Sequence, residues 1–191
     1  MYKTEWQLYL AEIPFSPNET FWVSFESDPG LKKTKANIYG RCLPCIEALH
    51  DQLQNGCQKI QLGNAYHCWK IAAVVADVDE CLKLLSVFET RFPGGHVYGK
   101  FGSSRADSTT KAVVFHAEDT LERDRVQAAL KICLFEINPQ REVMISRACA
   151  VLYENLLGDW RDWQPVTPVK YPENIPKQLE AVKRILRTSR M

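Results

Sequence analysis

The chain has 191 residues, of which 46% are hydrophobic and 25% charged, with 24 basic and 23 acidic side chains. This composition is typical of a soluble globular protein and excludes a disordered chain, which would lack the apolar residues needed to offset the entropy cost of ordering. It also excludes a single-pass membrane protein, because no run approaches the roughly 18 apolar residues of a membrane-spanning helix.

The near-zero net charge is the sum of two unequal parts. Residues 170–191 carry six basic and two acidic side chains, a net charge of +4, and the preceding residues are slightly acidic. The N-terminus shows no apolar signal segment, and the seven cysteines are an odd number, which is typical of a chain kept in a reducing compartment. We therefore expect a cytoplasmic protein with a local basic contact region.

The first 70 residues are the least periodic part of the chain. Alternation of apolar and polar residues predicts strands at 6–10 and 21–25, and a further short strand at 59–62. Between them, residues 44–53 form a predicted helix, with Pro44 in its first turn and Asn55-Gly56 closing it. These strands either extend a main sheet or make a small lobe.

Residues 71–146 contain the same pattern twice. The first unit runs from a β-branched strand at 71–76 through a helix started by Asp77 and Glu80 to a strand at 96–101. In the second unit a strand at 112–115, a helix started by Asp119 and Glu122 and a strand at 142–146 follow in the same order. Breakers at 93–95 and 138–139 end the two helices.

Two strand–helix–strand units in succession predict an α+β fold with a ferredoxin-like βαββαβ core at about residues 68–150. N-terminal strands and C-terminal helices are expected to pack around this core. A parallel doubly wound sheet is the competing arrangement, but the chain has too few units to fill one.

The C-terminal part is predicted to hold two helices. The first covers 150–157 and ends at Gly158, and the second covers 176–187, with an extended, proline-rich connector at 164–176 between them. Together with the preceding elements this predicts three segments: N-terminal strands and short helix at 1–67, the core and following helix at 68–163, and the connector and basic helix at 164–191.

Four cysteines within residues 42–68, together with His67, suggest metal or thiol chemistry. A CxxC pair supplies two thiolates for half of a tetrahedral zinc site, and the remaining ligands would come from nearby thiols or an imidazole. The predicted metal ligands are Cys42, Cys45, Cys57, His67 and Cys68. In a redox alternative Cys42 attacks and Cys45 resolves. The third interpretation is that all these thiols are structural, so the expected cofactor is zinc or none.

Basic and hydroxyl side chains near two strand ends predict an anion site. The predicted ligand-binding residues are Lys100, Ser103, Ser104, Arg105 and Arg147. The stretch 94–100 matches the letters of a phosphate-binding loop but reads as a strand, so we reject that motif. In a ferredoxin-like sheet the second and fourth strands end at opposite rims, so one shared site requires the loop at 102–111 to fold back.

Two further groups carry alternatives. One group consists of Trp160, Arg161 and Trp163. These residues either pack over the core as a staple that closes it, or form a contact surface for a partner subunit. The second alternative rests on the prevalence of Trp and Arg among interface hot spots. Cys149 and His116 form a conceivable nucleophile–base pair, although spatial adjacency does not follow from sequence.

The leading interpretation is a non-catalytic cytoplasmic binding module for an anionic ligand, a nucleotide or RNA, that self-associates and does not bind membranes. One alternative is a zinc-binding or thiol-redox protein centred on Cys42 and Cys45. The other is a scaffold subunit that uses the surface at residues 160–163.

Overall fold

The computed structural model describes residues 4–10, 22–27, 38–94, 97–102 and 111–188, which form a mixed α+β structure. Its main sheet contains the strands β1 (Gln7–Leu10), β2 (Trp22–Glu26), β4 (Trp69–Val75), β5 (Tyr98–Gly102), β6 (Lys111–Ala117) and β7 (Val143–Arg147), and a small second sheet contains β3 (Lys59–Gln61) and β8 (Val166–Pro168). The helices are α1 (Ile38–Gln54), α2 (Asn64–His67), α3 (Val78–Arg91), α4 (Thr120–Ile137), α5 (Ala150–Leu157) and α6 (Ile175–Thr188). Within these ranges no helix is long and apolar enough to cross a membrane.

The main sheet has the strand order β1-β2-β5-β6-β4-β7, and every neighbouring pair is antiparallel. The four strands of the two strand–helix–strand units are therefore adjacent, in the order second, third, first, fourth. Helices α3 and α4 pack against one face of these strands. The sequence prediction of an antiparallel sheet with helices is confirmed at this level.

Both predicted helix starts are confirmed, and each helix has an aspartate as its N-cap. Asp77 precedes α3 and its carboxylate accepts a hydrogen bond from the backbone N–H of Glu80 at 2.8 Å. Asp119 does the same for Glu122 at the start of α4, also at 2.8 Å. These contacts satisfy backbone donors that a helix leaves open at its first turn.

The main core lies between the sheet and helices α3 and α4. Alternate residues of β4 are fully buried against the helices, because successive side chains of a strand point to opposite faces. The aromatic rings of Phe25, Phe88 and Phe115 pack together within this core. The ring of Phe115 stacks on Phe88 at 5.0 Å and meets the edge of Phe25 at the same distance.

The N-terminal strands extend the main sheet. β2 pairs with β5 along its whole length and β1 adds to the outside of β2. Strand β5, expected as an edge of the four-stranded core, is therefore an interior strand. Local alternation predicted the strands themselves but did not indicate which edge they would join.

Helix α1 is longer than the sequence suggested. It begins at Ile38 rather than at Pro44, so Pro44 lies inside it. A proline within a helix removes one backbone hydrogen bond, at a cost of about 3 kcal/mol. The burial of Ile46, Leu49 and Leu53 on one side of α1 offsets this cost, which is why tertiary packing outweighs the local start signal.

A second core gathers elements from both ends of the chain. Helices α1, α5 and α6 pack around buried residues that include Leu49, Tyr153 and Val182. The predicted connector at 164–176 contributes to it through β8, which pairs antiparallel with β3. The connector is therefore only partly irregular, because β3 offers it a strand partner that lies about 100 residues earlier.

Candidate functional site

A pocket of about 320 Å³ opens at the end of the sheet where β4 begins and β6 ends. Four of its lining residues are cysteines and two are histidines. We call it the thiol pocket; it is lined by Cys42, Cys45, Asn64, His67, Cys68, His116, Ala117, Glu118, Ala148 and Cys149. Helix α1 supplies the first two thiols, and the turn between β7 and α5 supplies the last.

Three of these thiols are close neighbours. Sγ of Cys149 lies 3.9 Å from Sγ of Cys42. Hydrogen bonds to Cys42 and Cys45, together with burial, raise the pKa of the Cys149 thiol well above its usual value. Cys149 is 8% exposed, whereas Cys42 is half-buried. Of this pair, Cys42 is therefore the more accessible thiol, and the protonated Cys149 thiol lies behind it.

The predicted metal ligands are brought together in part. Cys42, Cys45, His67 and Cys68 line the thiol pocket. Cys57 instead follows the C-terminal end of α1, about 18 Å along the helix axis from Cys42. In the described part of the chain, no group of three or more His, Cys, Asp or Glu side chains has the arrangement of a metal site. Zinc binding stays a prediction.

The structure also places His116 and Cys149 in the same pocket. His116 is buried, and its ring stacks nearly parallel to that of Tyr98, with a centroid distance of 6.2 Å and an angle of 10°. The raised pKa of Cys149 opposes a role for that thiol as the first nucleophile. A nucleophile–base pair of these two residues is therefore disfavoured.

Two lysines lie on the same face of the sheet as the thiol pocket. Lys70 is directly opposite His116 across the β4–β6 pair. Burial lowers the pKa of Lys70, while Cys149, Cys42 and Glu154 act in the opposite direction. Burial lowers the pKa of Lys100 to about 8, and the positive charge of Lys70 contributes to that shift. A cationic region therefore lies beneath the thiols.

We expect the stability of the protein to rise with pH because of Lys100. Its pKa is about 8 in the folded state against 10.5 normally, so the unfolded state binds more protons between these values. The free energy of unfolding should increase by about 2 kcal/mol between about pH 7.5 and 9.5 relative to Lys100→Met, which lacks this proton. Urea unfolding of both proteins across this range measures the difference. Parallel pH dependences would contradict the assignment.

A second group of side chains lies at the same end of the sheet, on the face that carries the helices. We call it the arginine–tryptophan cluster: Tyr66, Trp69, Arg123, Arg147 and Trp160. Trp69 and Arg147 are directly opposite each other in the β4–β7 pair. The guanidinium carbon of Arg147 lies 3.8 Å from the centroid of Trp69 and 4.3 Å from that of Tyr66. Arg123 lies 4.3 Å from the Trp69 centroid, and Trp160 contacts Trp69 edge-on at 5.7 Å.

Two donors of this cluster have no acceptor in the described part of the chain. Nε of Arg147 and Nε1 of Trp69 are buried without a hydrogen-bond partner among the described residues. Arg147 donates to the Tyr66 carbonyl oxygen but forms no ion pair within the described ranges. Arg123, by contrast, pairs with Asp124 at 2.7 Å. Buried donors are normally satisfied, so these two are unusual among the described residues.

The predicted anion-binding residues are not gathered at one place. Lys100 shares a sheet face with Val114 and Ala72, whereas Arg147 is on the opposite face with Trp69. The strands β6 and β4 also lie between the two. Ser103, Ser104 and Arg105 lie outside the described residues. Of the predicted anion-binding residues that the structure describes, Arg147 alone belongs to the arginine–tryptophan cluster.

The surface predicted from Trp160, Arg161 and Trp163 needs a correction. Trp163 is 2% exposed, and its Nε1–H donates to the Gly158 carbonyl oxygen at 3.0 Å. Its ring meets that of Tyr153 edge-on in the second core. Trp163 is therefore a buried packing residue, which agrees with the staple interpretation. Arg161 is exposed and paired with Asp159 at 2.8 Å.

Sequence reasoning overlooked Tyr66, Trp69 and Arg123 as candidates. The available signal was that Trp69 lies two residues before the predicted first strand of the core and that Arg147 directly follows the predicted fourth strand, at the same end of the sheet. Comparisons with protein families, with curated proteins and with solved structures find no match for this chain. The site's chemistry is therefore the basis for a functional assignment.

Proposed function

We propose that this protein is a binding module for an anionic ligand carrying a phosphate group, a nucleotide or the end of an RNA strand. The ligand binds at the arginine–tryptophan cluster, where Arg147 provides the positive charge. This refines the sequence prediction, which combined Arg147 with Lys100.

The observation that supports this function is the pair of buried donors, Nε of Arg147 and Nε1 of Trp69, without acceptors among the described residues. A phosphate oxygen accepts such hydrogen bonds, and a guanidinium matches the geometry of a phosphate in two-point contacts. Stacking against Trp69 and Tyr66 holds the Arg147 head in place before the ligand arrives. Arg147 therefore loses little side-chain freedom on binding.

We expect Arg147→Gln to weaken phosphate binding about 10- to 100-fold, since a hydrogen bond to a charged group contributes roughly 1.5–3 kcal/mol. Arg187→Gln is the matched control, because Arg187 is an exposed residue of α6 and is not a member of the cluster. Calorimetry and thermal unfolding with inorganic phosphate, AMP, ATP and a short single-stranded RNA measure the effect and separate the ligand classes. Salt should weaken binding to RNA more than binding to AMP.

Two outcomes would contradict this function. One is binding that is equally strong in wild type and Arg147→Gln, and the other is the lack of any ligand-induced shift across the panel. Circular dichroism of the variant before titration separates loss of the site from loss of the fold. A difference between the affinities for AMP and for RNA would identify which of these two sources of phosphate binds to the cluster.

The finer fold assignment belongs to the same proposal. We infer a ferredoxin-like arrangement for β4, α3, β5, β6, α4 and β7. The supporting observation is the order of the four strands in the sheet, β5-β6-β4-β7, together with the packing of both helices on one face. The additional pairing of β2 with β5 is a departure from the bare four-stranded core.

Self-association and a cytoplasmic location remain predictions from the sequence. An exposed apolar stripe along α4 supports self-association: Leu121, Ile132 and Phe135 are 81%, 51% and 73% exposed. The spacing of these residues places them on one side of the helix, and apolar side chains gathered on one exposed face are typical of interaction surfaces. Sedimentation velocity over a concentration series measures the oligomeric state.

A further inference from the structure

The thiol cluster, which consists of Cys42, Cys45 and Cys149, lies on the opposite face of the sheet from Arg147, and the anion-binding function does not use it. Cys42 and Cys149 are 107 positions apart in the chain, yet their sulfur atoms are 3.9 Å apart. Cys45 follows Cys42 by three residues on α1 and therefore shares its side of the helix. Two thiols this close, next to an open pocket, form a candidate reactive dithiol.

The separation is close enough for a disulfide after a small movement. A disulfide holds its sulfur atoms about 2.05 Å apart, so the two would approach by roughly 2 Å. Cys149 belongs to a turn between β7 and α5, where side-chain rotation does not disturb a ladder of strand hydrogen bonds. The bond would connect α1 to the beginning of α5 across the floor of the pocket.

We propose that Cys42 and Cys149 form a dithiol site that exchanges with low-molecular-weight disulfides entering the thiol pocket. Cys42 is the attacking residue because it is the more exposed of the two, and Cys149 resolves from its buried position. Lys70 lies on the same sheet face as the pocket, directly opposite His116, which is one of its lining residues.

The exchange is balanced. The Cys42 thiolate attacks one sulfur of the small disulfide, which forms a mixed disulfide and releases the first small thiolate. Cys149 then gives up its proton and attacks the Cys42 sulfur, which releases the second small thiolate. The protein dithiol is oxidised by two electrons, the small disulfide is reduced, and the two thiolates take up the two protons from the protein.

The test uses the full chain and oxidised glutathione. After the remaining thiols are alkylated, peptide mapping by mass spectrometry should show a Cys42–Cys149 disulfide, and the intact mass before alkylation should show the loss of two hydrogens. In Cys45→Ser/Cys149→Ser, which removes both thiols clustered with Cys42, the mixed disulfide cannot resolve, so one glutathionyl group should accumulate on Cys42. Cys57→Ser is the matched control, because Cys57 lies at the far end of α1, and should behave like wild type.

Three results would overturn the proposal. They are a disulfide between Cys42 and Cys45, a glutathione adduct on wild-type Cys42 that never resolves, and equally fast modification of Cys57. The wild-type map decides the question even if a variant fails to fold. The site is separate from Arg147, so Arg147→Gln should still form the disulfide, and failure of one proposal does not entail failure of the other.

Discussion

Gly99→Ala is expected to destabilise the protein by about 3 kcal/mol or more, the upper range for forced overpacking of a core. A Cβ at this position would lie 2.7 Å from Cζ of Phe25 and well inside the contact distance of the Val114 carbonyl oxygen. The backbone oxygen cannot rotate away, so relief requires separation of β5 from β6. The lack of a side chain at Gly99 is what allows the Phe25 ring to lie over β5 and reach Phe115 at 5.0 Å.

Gly56→Ala is the control for Gly99→Ala. Gly56 has a positive φ of 68°, but a Cβ there would meet nothing within 4 Å. Its cost should be only the backbone strain of a left-handed conformation, about 1 kcal/mol. Urea unfolding followed by circular dichroism measures both variants. Equal effects of the two substitutions would show that the close approach of Phe25 and Val114 to Gly99 is not present.

Trp163→Ala should reduce the free energy of unfolding by about 3–5 kcal/mol, as is typical when a buried tryptophan is removed. The side chain fills the second core beside Tyr153 and closes a hydrogen bond to Gly158. Its loss would leave a cavity and a carbonyl oxygen without its donor. The same urea unfolding experiment provides the measurement.

Trp163→Phe distinguishes packing from hydrogen bonding. It keeps an aromatic ring but removes the N–H, so its cost should be about 1–2 kcal/mol. If Trp163 acted instead as an interface anchor, Trp163→Ala would change self-association and leave the unfolding of the monomer almost unaffected. That result would restore the contact-surface interpretation of residues 160–163.

Both candidate sites lie at the end of the sheet where β4 begins, on opposite faces. The thiol pocket lies on the face with Lys70 and His116, and the arginine–tryptophan cluster on the face with the helices. Alternation along β4 produces this division, because Trp69 and Lys70 are consecutive residues and point to opposite faces. Strand β4 therefore provides Trp69 to the arginine–tryptophan cluster and places Lys70 on the face of the thiol pocket.

Predictions from the sequence were most accurate where a local interaction defines the structure. The two aspartate N-caps could be predicted because each bonds the backbone N–H of the residue three positions later, within one helical turn. The end of α5 at Gly158 is confirmed for the same reason, since a positive φ of 79° favours glycine there. The predicted start of α1 at Pro44 was wrong, because burial of the apolar side of the helix outweighed the preference of proline for a first helical turn.

The candidate sites depend on contacts between distant parts of the chain. Cys42 and Cys45 stood out through their spacing, but Cys149, which completes the thiol cluster, had no local signal that linked it to them. Trp69 and Arg147 become neighbours only through the β4–β7 pairing. Lys100 and Arg147, which looked like partners by charge, are separated by the alternation of sheet faces and by two intervening strands.

The sequence by itself therefore determined the helices and strands of residues 71–157, because hydrophobic periodicity, caps and breakers act over a few residues. Only the tertiary structure decided that β2 joins β5, that β8 joins β3, and that the thiols of α1 meet Cys149. Those choices are made by burial of whole faces, whose free energy depends on which surfaces meet and not on their order in the chain.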